Sequence, residues 1–139
     1  MKVKNAMHKD AKCVEPDTPV RDVAKRMRKD DIGAIPVWHN GAIIGMITDR
    51  DITCRAVANG RAIDELTARD VMSPKVAFCA PNDDLAQAIM AMKKKHVRRL
   101  PVVDAAKGVV GMLSLGDISH KATSAVSGEV LRAVSGHHA

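Results

Sequence analysis

Apolar residues recur along this chain with two periods, and the same succession of periods occurs twice. Residues 12–14 and 76–79 are short apolar segments that run into Pro16 and Pro81. After each comes a stretch with apolar positions at helical spacing: Val20, Val23, Ala24 and Met27, then Leu85, Ala88, Ile89 and Met92. Thr18 with Pro19 predicts the N-cap and first turn of the first helix, and residues 82–84 predict an acidic first turn for the second. Two β-rich runs follow in each case. Residues 34–38 and 43–48 flank the turn-prone His39-Asn40-Gly41, and their counterparts are residues 100–104 and 109–114. A last helix is predicted from Asp49 to about Asn59, stopped by Gly60, with its partner starting near Leu115.

The two halves are related residue by residue. A shift of 65 positions places Met7 on Met72, Pro16 on Pro81, Met27 on Met92, Lys29 on Lys94, Pro36 on Pro101 and Val37 on Val102. One extra residue within 104–108 then moves the shift to 66, and Gly45 meets Gly111, Met46 meets Met112, Asp51 meets Asp117 and Ile52 meets Ile118. A duplication with one indel in a turn accounts for every match. Two copies at this period make a tandem pair rather than a solenoid. The expected fold class is α/β (α+β), with βαββα repeats at residues 3–60 and 68–123, a polar link at 61–67 and a tail at 124–139 that is amphipathic at Val126, Val130, Leu131 and Val134. A unit of about 60 residues buries little apolar surface alone, so the copies are expected to pack sheet to sheet about a pseudo-two-fold axis and share one core.

Composition narrows the function classes. Apolar residues make up 46% of the 139, enough for a core without staples, yet with one Phe, one Trp and no Tyr that core must be aliphatic. The eight methionines fall mostly at core positions of the pattern, and Trp38, near a strand end, is expected to be partly exposed. No apolar run approaches the roughly 18 residues that span a bilayer, and the N-terminus lacks the apolar stretch of a secretory signal. Three cysteines, Cys13, Cys54 and Cys79, without CxxC spacing argue against disulfides or a zinc site. A cytoplasmic setting is the expectation. The net charge of +6 favours an anionic partner without naming it.

The sharpest local motif is Gly45-Met46-Ile47-Thr48-Asp49-Arg50-Asp51, matched by Gly111-Met112-Leu113-Ser114-Leu115-Gly116-Asp117. In each, an apolar strand ends in a hydroxyl residue with an aspartate three positions on, where a helix starts. A lone T-x-x-D is most often a capping box. The same groups also suit a nucleotide, since amides and hydroxyl fit phosphate and a carboxylate accepts ribose hydroxyls. The motif alone leaves both readings standing. A second feature separates the copies. Arg98-Arg99 in copy two aligns with Gly33-Ala34 in copy one, and paired guanidiniums give bidentate, permanently charged contacts to phosphate. The competing reading is a solvated extension of Lys93-Lys94-Lys95.

The order of elements, the strands Ile32-Gly33-Ala34-Ile35-Pro36-Val37 and Val97-Arg98-Arg99-Leu100-Pro101-Val102, and the Gly45–Ile52 signature together resemble CBS domains, over about residues 3–122. The resemblance implies a Bateman module: a non-catalytic regulatory pair, often dimeric, that binds AMP, ADP or ATP, or alternatively NAD or S-adenosylmethionine, in clefts between copies. It places the ribose-binding aspartate at Asp51 and Asp117 and the hydroxyl at Thr48 and Ser114. Adenine-lining strands fall on Ala34, Ile35 and Pro36 and on Leu100 and Pro101, backbone contacts to the base on Val14 and Ala77, and the phosphate-meeting pair on Arg98 and Arg99. Copy one lacks that pair, with Arg50 as a substitute. A homodimer and an effector protein acting in trans are the implied partners, with no metal and no membrane.

The alternative is a nucleic-acid-binding protein that uses residues 93–99, though it would lack the aromatic side chains on which single strands stack. An enzyme is not expected, because no nucleophile–base pair or metal cluster is visible. His8, His39, His96 and His120 are scattered, and His137-His138 fall in the tail.

Overall fold

A computed structural model describes residues 1–121 and 124–135, with the side chains of 124–126 left aside. The chain forms two compact units, and they do not coincide with the two sequence repeats. One unit is Lys12–Val76. The other joins Met1–Ala11 to the chain from Ala77 onward.

In the unit Lys12–Val76, β-structure begins at Val14, whose amide donates to the Pro36 carbonyl and whose carbonyl accepts from Trp38 N. Pro16 has no amide to continue such a ladder, so the contact stays a single bridge. Helix α1 (Val20–Asp30) buries Val20, Val23 and Met27. Its N-cap is Pro19, not Thr18. The Thr18 hydroxyl instead accepts from Glu15 N at 3.1 Å, closing the turn before the helix, so the expected cap is used one step early. Asp31 ends α1 in the left-handed region, as His96 does at the aligned position in the other unit.

Strands β2 (Ala34–His39) and β3 (Ala42–Thr48) form a hairpin across Asn40 and Gly41. Both turn residues have positive φ, 50° and 78°, the geometry that keeps a two-residue turn in step with strand twist. The final helix starts as α2 (Asp49–Ile52) and widens to a π-turn over Thr53–Val57 before Gly60 at φ 66°. The widening carries Ala56 fully into the core.

Residues within and just beyond the predicted link complete this same core. Leu66, with Ala68 and Val71 of helix α3 (Ala68–Val71), is buried among Val14, Val23, Ile35 and Ile47. Arg55 Nη1 donates to the carbonyls of Val71 and Met72 at 3.2 and 2.7 Å.

The other unit repeats the plan with its own additions. A 3₁₀ turn over Val3–Asn5 buries Val3 completely. The strand β1 (His8–Lys9) then forms one edge of a sheet with β5 (Gly108–Ser114) in the middle and β4 (Arg99–Asp104) beyond it. Cys79 bridges this sheet as Val14 bridges the first, donating its amide to Pro101 O and accepting from Val103 N.

Helix α4 (Leu85–Lys95) buries Leu85, Ala88, Ile89 and Met92. Residues 82–84 do not form its acidic first turn. Asp84 is the N-cap, in a capping box with Gln87, and Asp83 Oδ2 accepts from Ala80 N in the preceding turn. Helix α5 (Leu115–Lys121) follows β5. The tail forms α6 (Ser124–Ser135), packed on α4 and α5, with Val130 and Val134 fully buried and Leu131 half in solvent. Amphipathic spacing in the tail therefore serves this unit's own core. Val126 and His137-His138 lie outside the described side chains.

Among the described residues the buried apolar side chains form one cluster in each unit. Residues 66–72 close one cluster, and Val3 with α6 closes the other. The methionines depart from expectation: Met27 and Met92 are core residues, but Met1 and Met90 are exposed.

One close approach fixes which segment joins which unit. Gly45 and Gly111 sit at equivalent points of β3 and β5, where a neighbouring strand passes with no room for a side chain. A Cβ on Gly111 would lie 2.5 Å from the His8 carbonyl oxygen and 2.6 Å from Met7 Sδ. A Cβ on Gly45 would overlap Met72 Sδ and stand 3.1 Å from Ser73 O. Gly111→Ala is expected to cost about 1–3 kcal/mol as an overpacking substitution. Urea unfolding checks this, and a loss below about half a kcal/mol would contradict the close approach.

Candidate functional site

Each set of predicted site residues falls within one unit: Val14, Ala34, Ile35, Pro36, Thr48, Arg50 and Asp51 in Lys12–Val76, and Ala77, Arg98, Arg99, Leu100, Pro101, Ser114 and Asp117 in the other. Within each set the hydroxyl–aspartate pair is formed. Thr48 N donates to Asp51 Oδ2 at 2.9 Å, and Asp51 N donates back to Thr48 Oγ1 at 3.1 Å. Ser114 N and Ser114 Oγ both donate to Asp117 Oδ2, at 2.8 and 2.9 Å, and Asp117 N donates to Ser114 Oγ at 3.2 Å. Both are reciprocal caps, so the structural role is real. It occupies one carboxylate oxygen and leaves Oδ1 for other partners.

Those other partners were not legible as site residues. Ser73 Oγ donates to Asp51 Oδ1 at 3.4 Å. His8 Nε2 lies 2.8 Å from Asp117 Oδ1. The two are aligned by the 65-residue shift and occupy equivalent strand positions, Ser73 bridging Met46 and His8 pairing with Met112. The clue was the alignment itself, but a serine and a histidine do not announce a common place.

The strand that approaches the cap is also equivalent in the two units. Asp49 N donates to Gly33 O at 3.0 Å, and Leu115 N donates to Arg98 O at 2.9 Å. Arg99 pairs in register with Ser114, as Ala34 does with Thr48. The backbone thus sets Arg98 and Arg99 beside the Ser114–Asp117 pair. Both side chains are exposed. Among the described residues neither guanidinium has a hydrogen-bond or ion-pair partner.

Copy one differs in charge as well as in missing arginines. A Cβ on Gly33 would lie 3.1 Å from Asp49 Oδ2, so a carboxylate stands close to the position that Arg98 takes in copy two, where Leu115 replaces the acid. Arg50 is exposed. Asp49 therefore opposes phosphate where Arg98 favours it.

Of the strand residues expected to line adenine, Ile35 and Leu100 are fully buried in their cores, which leaves them only backbone atoms to offer. Pro36 and Pro101 are buried, Val14 bridges Val37 of β2, and Ala77 packs against the cluster that contains Leu100. A separate cavity of about 470 Å³ is lined by Glu15, Pro16, Asp17, His39, Thr67 and Arg69 and includes no predicted site residue. His39 faces Glu15 at 3.4 Å there. Among the described residues no cluster of three His, Cys, Asp or Glu could hold a metal ion, and no helix is long and apolar enough to cross a membrane.

The sequence profile of the CBS domain matches residues 3–56 and 68–123. The chain belongs to the CBS domain family. It is 37% identical over 117 residues to the CBS domain-containing protein YhcV of Bacillus subtilis, covering 84% of this chain and 82% of that one. A conserved CBS domain protein of unknown function from Thermoplasma acidophilum has the same fold, with a TM-score of 0.81 at 26% identity, over 96% of this chain and 75% of the other. CBSX2, solved in complex with AMP, superimposes with a TM-score of 0.71 at 22% identity, covering 86% and 94% of the two chains. This CBS pair therefore carries its family signature twice.

Beside Ala77 in this pair, burial and then the nearby Asp83 push the Cys79 thiol up to about 12. Its Sγ points at Pro101 O, 3.8 Å away. Burial and then Glu15 also raise Cys13. Only the thiolate reacts, so a maleimide at pH 8 is expected to label exposed Cys54 first and Cys79 only on unfolding, as mass spectrometry would record. Because the folded thiol value is raised, the unfolded chain ionises first as pH climbs through the ordinary thiol range, and stability falls there. Rapid labelling of Cys79 in the folded protein would contradict its placement.

Proposed function

We propose that this CBS pair is a non-catalytic sensor of adenine nucleotides, with the stronger phosphate site on copy two. The observation that carries the proposal is the juxtaposition of Arg98 and Arg99 with the Ser114–Asp117 pair, set by the Leu115–Arg98 backbone hydrogen bond and the Arg99–Ser114 register. Asp117 supplies an acceptor for ribose hydroxyls, and the two exposed guanidiniums supply bidentate donors to phosphate oxygens. AMP, ADP or ATP fits this set best, and NAD or S-adenosylmethionine presents the same adenosyl group. The Thr48–Asp51 pair forms the second, weaker site, because Asp49 occupies the neighbourhood that Arg98 occupies in copy two. CBSX2 was solved with AMP, but at 22% identity it lends this chain the fold, and the ligand rests on the residues named here.

The nucleic-acid alternative draws less support. Within residues 93–99, Lys93 Nζ is paired with Glu129 and His96 Nδ1 meets the Ala133 carbonyl, so the basic run is partly engaged by α6. The proposal includes a cytoplasmic setting, self-association as a homodimer, and readout by an effector protein in trans that distinguishes the bound from the free state.

A thermal melt with AMP, ADP, ATP, NAD and S-adenosylmethionine tests the reading. At about a hundredfold excess over Kd a ligand adds about 2.7 kcal/mol, which raises Tm by several degrees in a chain of this size. Asp117→Ala combined with Arg99→Ala is expected to abolish the shift. If no adenine compound moves the wild-type Tm, the sensor reading fails.

A further inference from the structure

We infer that His8 is a built-in competitor for the copy-two site: in the free protein its imidazole occupies the carboxylate oxygen of Asp117 that a ribose needs, and the ligand must displace it. This rests on the nucleotide reading above and adds a regulatory element to that site.

Three observations carry it. Asp117 is buried to all but 8%, and Oδ2 is committed to Ser114, so Oδ1 is the oxygen left for a ligand. His8 Nε2 stands on that oxygen at 2.8 Å, while the His8 side chain as a whole is 78% exposed. An exposed imidazole anchored at one end can rotate into water without disturbing the core. The backbone beneath it is held in place, since β1 pairs His8 with Met112 and passes against Gly111. The side chain can move while its strand stays.

The first copy shows the same arrangement without the competitor. Ser73 takes the equivalent strand position, but its hydroxyl reaches Asp51 Oδ1 only at 3.4 Å. A hydroxyl both donates and accepts, so it can remain beside a ribose diol as a third member of the network. An imidazole N–H on Oδ1 offers the diol nothing and fills its place. The two sites therefore differ twice: Arg98 and Arg99 strengthen copy two, and His8 taxes it. A contact held by so exposed an imidazole lowers apparent affinity by about two- to fivefold, through the fraction of molecules in which Oδ1 is free.

Replacing His8 by its own counterpart, His8→Ser, isolates the effect. AMP is titrated calorimetrically into the full chain carrying Asp51→Ala, which silences copy one, with and without His8→Ser and Asp117→Ala. Expected are binding that depends on Asp117, and a two- to fivefold lower Kd in His8→Ser. His8→Gln and a circular dichroism melt guard against a folding defect in the serine variant. A second readout follows the His8 ring by NMR: saturating AMP should move its resonances to the positions seen in ligand-free Asp117→Ala. Asp117-dependent binding that His8→Ser leaves unchanged or weakens, or ring resonances that AMP does not move, would overturn the inference alone. AMP binding that is absent, or indifferent to Asp117→Ala, would overturn the nucleotide reading and this inference with it.

Discussion

The architecture depends on two backbone crossings where a side chain is forbidden. At Gly111 the strand carrying Met7 and His8 lies so close that a methyl group would meet the His8 carbonyl, and at Gly45 a methyl group would meet the Met72 side chain, with the Ser73 carbonyl 3.1 Å away. Overpacking at such a point costs as much as a good hydrophobic contact gains. These crossings decide unit membership. Each repeat's hairpin is completed by the segment that precedes a repeat elsewhere in the chain: residues 72–73 join the first hairpin, and residues 7–8 join the second. The extra helical pieces around each crossing then let each unit close its own core.

The same crossings complete the sites. The residue after each crossing methionine lands on the free oxygen of the conserved-in-both-copies aspartate, so Ser73 meets Asp51 and His8 meets Asp117. A reciprocal cap of this type accounts for the aspartate in structural terms. It uses one oxygen only, and the chemistry at the second oxygen is set by the crossing strand. Local charge then separates the two sites further. Asp49 against Gly33 makes copy one acidic where copy two, with Leu115 and Arg98, is basic. On the nucleotide reading proposed above, one duplicated frame holds two candidate sites with different demands on a phosphate ligand.

Much of this was legible in the sequence. Helical spacing located α1 and α4, Asn40-Gly41 located the first hairpin, and the offset of 65 to 66 residues paired the Thr48–Asp51 and Ser114–Asp117 motifs, because all of these are local or repeated signals. The helix starts were misplaced by a residue or more: the N-cap of α1 is Pro19 rather than Thr18, and Asp84, expected within the first turn of α4, is its N-cap with Gln87. The tail was half legible, since spacing marked Val130 and Val134 as apolar but could not say what they cover. His8 and Ser73 were invisible as site residues because their role depends on a strand brought in from a remote part of the chain, and no local pattern records that contact.

The most direct measurement of the central claim is an amide chemical-shift map of the protein as ATP is added. The account predicts that the largest perturbations gather at His8, Arg98, Arg99, Ser114, Leu115 and Asp117, with smaller ones at Thr48, Asp51 and Ser73. Perturbations confined to residues 93–95, or to the cavity around Glu15, His39 and Arg69, would contradict it.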